Sequence, residues 1–363
     1  MKIVIRCGGA GTRLWPMSRR KSPKHFQAIL GDTTLFESKL DEVRPLIKSW
    51  NDVYISTVRE YVPMVRRFAP RIRRDHIIAE PVRRNTGPGI ALETTVIAAQ
   101  QPRGTDPIIA TLTVDDVMHN SRLFCQLLRR ADALIRHREP SSVITIGCPP
   151  DGADTGLSYL VLGPRVAEGN GHAFHEVAQW VEKPSSRKLS HLLQRTSVAA
   201  HTGLYVWRAS TVLGIVEAHE PEMFAGLQRI RSAVGTPRLA RTLEREFPKF
   251  RSASVEEVVA KRASRIIAAV ADLKWHDTGK WFLIQELRRT HPNANVIKGS
   301  VYEVDTEDSL IYAPRKKFIA TIGVKSMIIV DTGDALLVCP KERSADVKKI
   351  VEHLERARIR RLL

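Results

Sequence analysis

The run Ile3-Val4-Ile5, leading through Arg6 and Cys7 into Gly8-Gly9-Ala10-Gly11, constrains this chain more than any other stretch. Consecutive β-branched residues read as a strand buried on both faces, the kind a parallel sheet uses. Glycines placed directly after it let the backbone turn sharply and come close to a ligand. Such a loop converges several backbone N–H groups on one point, which suits a phosphate. The cations Arg13, Arg19, Arg20, Lys21 and Lys24 follow at once. A polyanionic nucleotide is the guest this pattern would take, and a purely structural strand–turn with basic surface residues is an equal reading of the glycines alone. The P-loop pattern G-x-x-x-x-G-K-S/T and the dinucleotide pattern G-x-G-x-x-G are both absent.

Downstream, strand and helix patterns alternate. Leu35–Val43 reads as an amphipathic helix, Val53–Thr57 as a strand, Tyr61–Phe68 as a helix and Ile77–Ala79 as a strand. Asn85 or Thr86 would cap a helix running through Ile90–Ala99. Pro107–Val114 is a continuous apolar strand with Asp115-Asp116 at its end, where an α/β sheet collects ligands. A turn or cap is the competing reading of that acidic pair. Leu123–His137 reads as a helix and Val143–Ile146 as a strand. The stretch from Thr211 to Arg262 is helical with a break near Pro237, and Ile266–Val270 is a strand. This alternation predicts an α/β, mostly parallel, Rossmann-like sheet covered on both faces. From Asn295 to Val338 short β-rich pieces alternate with Gly, Asp and Pro turns, and an amphipathic helix spans Ser344–Leu363. The expected division is 1–288 for the α/β domain and 289–363 for a small β-rich domain with its terminal helix.

A chain of 363 residues has room for both domains. No run reaches the length of a membrane span and no leader is expected before the first strand, so the reading is a cytoplasmic protein without membrane partner. The scattered cysteines Cys7, Cys125, Cys148 and Cys339 read as free thiols of a reducing compartment. Lys and Arg number 57 against 39 Asp and Glu, a net charge of +18. That excess is spread along the chain rather than blocked, and no run interleaves it with aromatic residues. Nucleic acid is therefore disfavoured against a solvated basic surface that attracts phosphates.

The extended string GGAGTRLWPMS…PKHF resembles the signature of the sugar-nucleotide pyrophosphorylases, and its Trp–Pro form is most similar to the mannose-1-phosphate guanylyltransferases. Further segments carry the same resemblance: Arg84-Asn85-Thr86-Gly87-Pro88 against RNTAP, Asp154–Leu160 against ETGYGYI, Val181–Pro184 as VEKP, His201–Trp207 against NSGMFVF, Trp275–Trp281 against WxDVGxW, and Val330–Pro340 against VDTPDALLVAP. Longer members carry an added isomerase domain, which a chain ending at Leu363 is expected to lack.

The resemblance implies an enzyme, a GT-A-like nucleotidyltransferase that joins GTP and mannose 1-phosphate with Mg²⁺ as cofactor. It assigns Gly8, Gly9, Gly11 and Thr12, with Arg84, Asn85 and Thr86, to the nucleotide. Arg13, Lys24 and Lys183 become the catalytic cations, Lys183 facing the sugar phosphate. Gly156, Glu182 and His201 fall on the sugar side, and Asp115 and Asp277 on the metal. His276-Asp277 also looks like the start of a zinc pair, but no third ligand lies at useful spacing. The chain departs from the family at Thr113, Asp116, Leu157, Ser158, His201 and Lys261. Those departures leave open a related enzyme for another hexose 1-phosphate or nucleotide, or a non-catalytic regulatory relative. The β-rich module reads as packing or subunit contact, with a homodimer left open.

Overall fold

The computed structural model describes residues 1–9, 11–169, 171–194 and 197–363, so Ala10 of the glycine loop lies outside the described residues. By packing, the chain forms two compact units. One comprises Met1–Gly8 with Asp41–Trp275, the other Gly9–Leu40 with His276–Leu363.

The first unit is built on a nine-stranded sheet. Its strands are β1 (Lys2–Arg6), β2 (Val53–Val58), β3 (Ile77–Glu80), β4 (Ile108–Thr113), β6 (Val143–Cys148), β7 (Tyr159–Gly169), β8 (His172–Val181), β9 (Val198–Arg208) and β10 (Ile266–Ala271); a short β5 (Asp116–Met118) follows β4 outside the sheet. The order is β3-β2-β1-β4-β9-β6-β10-β8-β7, and all strands except β8 and β9 run in one direction. The mostly parallel α/β fold expected from the sequence is therefore the fold adopted. Ile3, Val4 and Ile5 are fully buried, as a strand central to a parallel block requires. One core cluster packs that block against the helices Thr86–Gln100, Ala209–His219 and Pro221–Arg231. A second cluster joins Tyr159, Val161, Val181, Leu189 and Ala200.

In the second unit the β-rich pieces form a coil rather than hairpins. After β11 (Trp275–Asp277) come β12 (Val296–Lys298), β13 (Ser300–Val304), β14 (Leu310–Tyr312), β15 (Phe318–Ile322), β16 (Met327–Asp331) and β17 (Leu336–Pro340). Strands two apart pair in parallel, with Val296, Leu310 and Ile328 in one row and Val301 and Ile319 in another. Only β17 turns back antiparallel on β16. The terminal helix, Val347–Arg356, is shorter than the sequence pattern at both ends: Lys341–Asp346 before it and Arg360–Leu362 after it wind as 3₁₀ turns. The segment Gly9–Leu40 packs here: Trp281 Nε1 donates to the Trp15 carbonyl (3.1 Å), and the Tyr312 hydroxyl donates to the Ile29 carbonyl (2.8 Å). None of the four cysteines is held in a disulfide. No helix among the described residues is long and apolar enough to cross a membrane.

Candidate active site

At the end of β1 the Cys7 carbonyl accepts from the Thr57 hydroxyl (3.1 Å), fixing the exit into Gly8. Gly8 has only Val58 near its missing Cβ, at 3.8 Å. Gly11 is demanding: its φ is +61°, and a Cβ would stand 2.5 Å from Ser18 Oγ and 3.0 Å from Lys24 Cγ. Only glycine meets both conditions. Thr12 then opens a 3₁₀ turn, Thr12–Leu14, that leaves Arg13 exposed. Lys24 begins a second turn, Lys24–Phe26, in which it is buried and its amide donates to Ser18 Oγ (3.0 Å). Arg19, counted in the sequence among the cations awaiting phosphate, is instead paired in-plane with Asp334 (2.6 and 2.7 Å).

The Arg-Asn-Thr segment sits between β3 and the helix Thr86–Gln100. Asn85 is the helix cap, at φ +66°, and its Oδ1 accepts from the Thr86 amide (2.8 Å). Asparagine tolerates positive φ better than most residues, and strained backbone of this kind concentrates at functional sites. The Thr86 hydroxyl accepts from the Val255 amide (2.8 Å). Arg84 donates from one terminal nitrogen to the Pro248 carbonyl, while its buried Nε has no partner among the described residues. Its neighbour Arg83, missing from the sequence assignments, lies with Nε 3.5 Å from the Gly8 carbonyl and packs over the Tyr61 ring. The family pattern favours the second arginine of the pair, and only the strand register brings the first to Gly8. Beneath the segment, Arg6 lies 3.3 Å from Glu93 and 3.9 Å from Glu80. Burial outweighs the pull of Arg6 and pushes the Glu80 carboxyl up to about 7.

At the end of β4, Asp115 is half-buried and Asp116 buried. Asp116 accepts from the Thr113 hydroxyl and from Trp275 Nε1 (2.7 Å), so the residue standing in place of the family's histidine is a structural anchor. Asp277 is half-buried, and its Oδ1 accepts from the Gly279 amide (2.8 Å). A side chain at 279 would press on that carboxylate, 2.8 Å from Oδ1.

The sugar-side candidates converge where three strands meet. Tyr159 at the start of β7 pairs with Val181 at the end of β8 and with Ala200 in β9. This register brings Ser158, Glu182 and His201 together. The Ser158 hydroxyl donates to Glu182 Oε2 (2.8 Å), and the His201 amide donates to the Ser158 carbonyl (2.9 Å). Burial raises the Glu182 carboxyl, but the hydrogen bond from Ser158 and the charge of Lys183 bring it below its usual range. Lys183 has Nζ 3.5 Å from Glu182 and a φ of +35°, a second strained candidate after Asn85. Gly156 lies in the preceding turn, its amide donating to Asp154 Oδ1 (2.7 Å). His201 is packed edge-on to Trp180 at 4.4 Å, and burial drives its pKa down to about 3, so the ring is neutral. Its Nε2 has no protein partner among the described residues. Tyr205, 5.3 Å from it, donates its hydroxyl to Glu256 (2.8 Å). The sequence points to His201 but not to the aromatic and acidic lining around it, which strand pairing alone assembles.

The chain matches the nucleotidyl transferase family model over residues 2–291 and the MannoseP isomerase/GMP-like β-helix domain model over residues 299–354. A relative named mannose-1-phosphate guanylyltransferase from Salmonella muenchen is 30% identical, covering 97% of this chain and 73% of its own length. A second so named, from Escherichia coli K12, is 28% identical with the same coverage. The crystal structure described as mannose-1-phosphate geranyltransferase from Thermus thermophilus is 25% identical with a TM-score of 0.84, over 98% of this chain and 99% of that one. A mannose-6-phosphate isomerase structure from Helicobacter pylori shares the fold at TM-score 0.58 and 16% identity, over 76% of this chain and 100% of that one. The chain is thus an enzyme of the nucleotidyl transferase family and belongs to its mannose-1-phosphate guanylyltransferase group.

Proposed function

We propose that the chain transfers GMP from GTP to mannose 1-phosphate, releasing pyrophosphate and forming GDP-mannose. The observation that carries this reading is the junction of Ser158, Glu182, Lys183 and His201. An ionised carboxylate beside a lysine, with a neutral imidazole whose Nε2 has no protein partner among the described residues, suits a sugar bearing both hydroxyls and a phosphate. Family membership supports the nucleotidyl transfer, and the relatives' names support the sugar.

In this reaction an oxygen of the sugar phosphate attacks the α-phosphorus in line. The bond to the β-bridging oxygen breaks, and its electron pair leaves with pyrophosphate. A phosphate monoester is already ionised near neutral pH, so no general base is required, and catalysis rests on positioning and charge neutralisation. Gly8, Gly9, Gly11 and Thr12 offer backbone and hydroxyl groups to the triphosphate. Arg13 and Lys24 offset charge gathering on the leaving group. Asn85 and Thr86 hold the nucleotide side, with Arg83 as the nearer guanidinium while Arg84 braces the segment. Lys183 draws in the sugar phosphate; Glu182, His201 and the Gly156 turn orient the sugar. Asp115 and Asp277, which the family resemblance assigns to the metal, are each half-buried carboxylates, the oxygen donors that Mg²⁺ takes while sharing its shell with phosphate and water. When bound, Mg²⁺ would neutralise charge on the α-phosphate.

Pyrophosphate release measured across a panel of nucleoside triphosphates and hexose 1-phosphates tests the assignment. GTP with mannose 1-phosphate is expected to give the highest kcat/KM, by about tenfold or more, the scale of one net hydrogen bond of about 1.5 kcal/mol. A different preferred pair would replace this reading with its second form, a related enzyme for another hexose 1-phosphate or nucleotide, for which the departure from the family pattern at Ser158 leaves room.

A further inference from the structure

We propose that Arg19 and Asp334 are positioning residues that clamp the segment Gly11–Lys24, so that the β-coil module sets the shape of the presumed nucleotide-binding segment. The proposal rests on the reading of that segment as the triphosphate side of the site.

Arg19 is anchored from two sides. Its Nε donates to the Pro16 carbonyl (2.8 Å), tying the guanidinium to its own loop. Its two terminal nitrogens meet both oxygens of Asp334 (2.6 and 2.7 Å), and one also donates to the Thr332 hydroxyl (2.9 Å). A guanidinium has five N–H donors in a rigid fork, and a paired approach to carboxylate fixes both direction and distance. Arg19 has thus committed most of its donors and is largely buried, unlike Arg13, Arg20 and Lys21, which are exposed. It is not a phosphate ligand in waiting.

The receiving turn is equally fixed. The Thr332 amide donates to the Ala335 carbonyl (2.9 Å), and Gly333 takes φ +90°. The Gly333 amide donates to Asp331 Oδ1 (2.6 Å), and Asp331 is held in turn by Lys317 (2.5 Å). The hydrogen bond from Arg19, outweighing burial and joined by that from Thr332, holds the Asp334 carboxyl far below the usual carboxylate range.

The clamp has a short route to the chemistry. Arg19 and Ser22 exchange backbone hydrogen bonds (3.0 Å each), Lys24 follows two residues later, and its amide returns to Ser18 Oγ (3.0 Å). Ser18 Oγ and Lys24 Cγ are also the atoms that crowd Gly11. Displacing Arg19 therefore displaces the surroundings of both Gly11 and Lys24. The segment also gathers Arg13, Arg19, Arg20, Lys21 and Lys24, like charges that repel one another, and Arg20 is already met by Glu355 at 3.4 Å. Asp334 supplies a fixed counter-charge where no phosphate is bound, keeping the segment ordered before the nucleotide arrives.

The test combines amide exchange with steady-state kinetics on the full chain. Asp334→Ala is expected to speed exchange in peptides covering residues 11–27 by about tenfold, with β14 and β16 unaffected. It should raise the KM for GTP by about tenfold and leave the KM for mannose 1-phosphate unchanged. Arg19→Lys keeps the charge but loses the fork, and should reproduce the same split if Asp334→Ala does not fold. The swapped pair Arg19→Asp with Asp334→Arg should recover part of the lost protection. Unchanged exchange over residues 11–27 in a folded Asp334→Ala protein overturns the clamp, as does an equal rise in both KM values. Should the wild-type chain turn over no nucleotide, the functional reading fails separately, and the exchange measurement still decides the clamp.

Discussion

Ser158 puts a hydroxyl where the family pattern has glycine, and the hydroxyl is engaged: it donates to Glu182 Oε2 at 2.8 Å. One oxygen of the proposed sugar-binding carboxylate is therefore occupied, and Oε1, beside Lys183, is left to face a hydroxyl. Hydrogen bonds to charged groups contribute about 1.5–3 kcal/mol, with the low end appropriate to a half-exposed pair. Ser158→Gly is expected to shift the KM for the sugar phosphate by about tenfold, to relax discrimination among hexoses, and to leave the KM for GTP unchanged. Initial rates with several hexose 1-phosphates check it; identical selectivity in the variant would remove Ser158 from the sugar site. The substitution itself is legible in the sequence, because one side chain stands out against a motif. Its partner is not, because Ser158 and Glu182 meet only through the register of Tyr159 opposite Val181. The same holds for Arg83, which local pattern ranks below Arg84 until β1 and β3 fix what lies beside Gly8.

At the scale of elements, the helix Thr86–Gln100 shows how a departure in sequence is demanded by packing. Gly87 stands where the family has alanine, and its amide donates to the Ala253 carbonyl (2.9 Å). An added Cβ would lie 2.5 Å from Val258 Cγ2 and 2.9 Å from the carbonyl oxygens of Ala253 and Ser254. Backbone carbonyls cannot swing aside as a side chain can. Gly87→Ala is accordingly expected to destabilise the protein by about 1–3 kcal/mol, the cost of overpacking. It should also raise the KM for GTP, because Asn85 and Thr86 open the same helix. A denaturant melt with an unchanged midpoint would show the helix able to shift at no cost. Elements with a strong apolar period or a cap residue are readable from the chain alone: β1, β4 and the helix Leu35–Val43 lie where their patterns put them. The long hairpin of β7 and β8 is not, since Gly163, Pro164 and several charged residues interrupt its alternation. Nor is the parallel coil of β12 to β16. Short strands between turns look alike whether they fold back or wind on, and spacing along the coil decides it only once Val296, Leu310 and Ile328 are seen in one row.

Over the whole molecule, the net charge of +18 is partly explained by sharing. Buried Glu246 is met by Arg229, Arg245 and Lys249, and Glu220 by Arg251 and Arg262, so several cations surround one carboxylate. Two buried groups of opposite sign add to the dependence of stability on pH. His201, held near pKa 3 by burial against an ordinary 6.5, binds its proton more readily in the unfolded chain. Stability therefore falls as pH drops from about 6.5 towards 3. Glu80, raised by burial from 4.5 to about 7, holds its proton more tightly when folded, so its contribution falls as pH rises from 4.5 to 7. The two slopes oppose one another between pH 4.5 and 6.5, leaving a plateau with a loss on either side. A tenfold change in proton affinity corresponds to about 1.4 kcal/mol, so the acid limb below the plateau is worth about 2 kcal/mol and the half-unit limb above it about 0.7 kcal/mol. His201→Asn is expected to flatten the acid limb alone, and Glu80→Gln the limb approaching neutrality. Denaturant melts at half-unit pH steps separate them. An acid limb that persists unchanged in His201→Asn would place the acid lability in the carboxylates that share cations, among them Glu246, and release His201 from its role as a buried neutral ring.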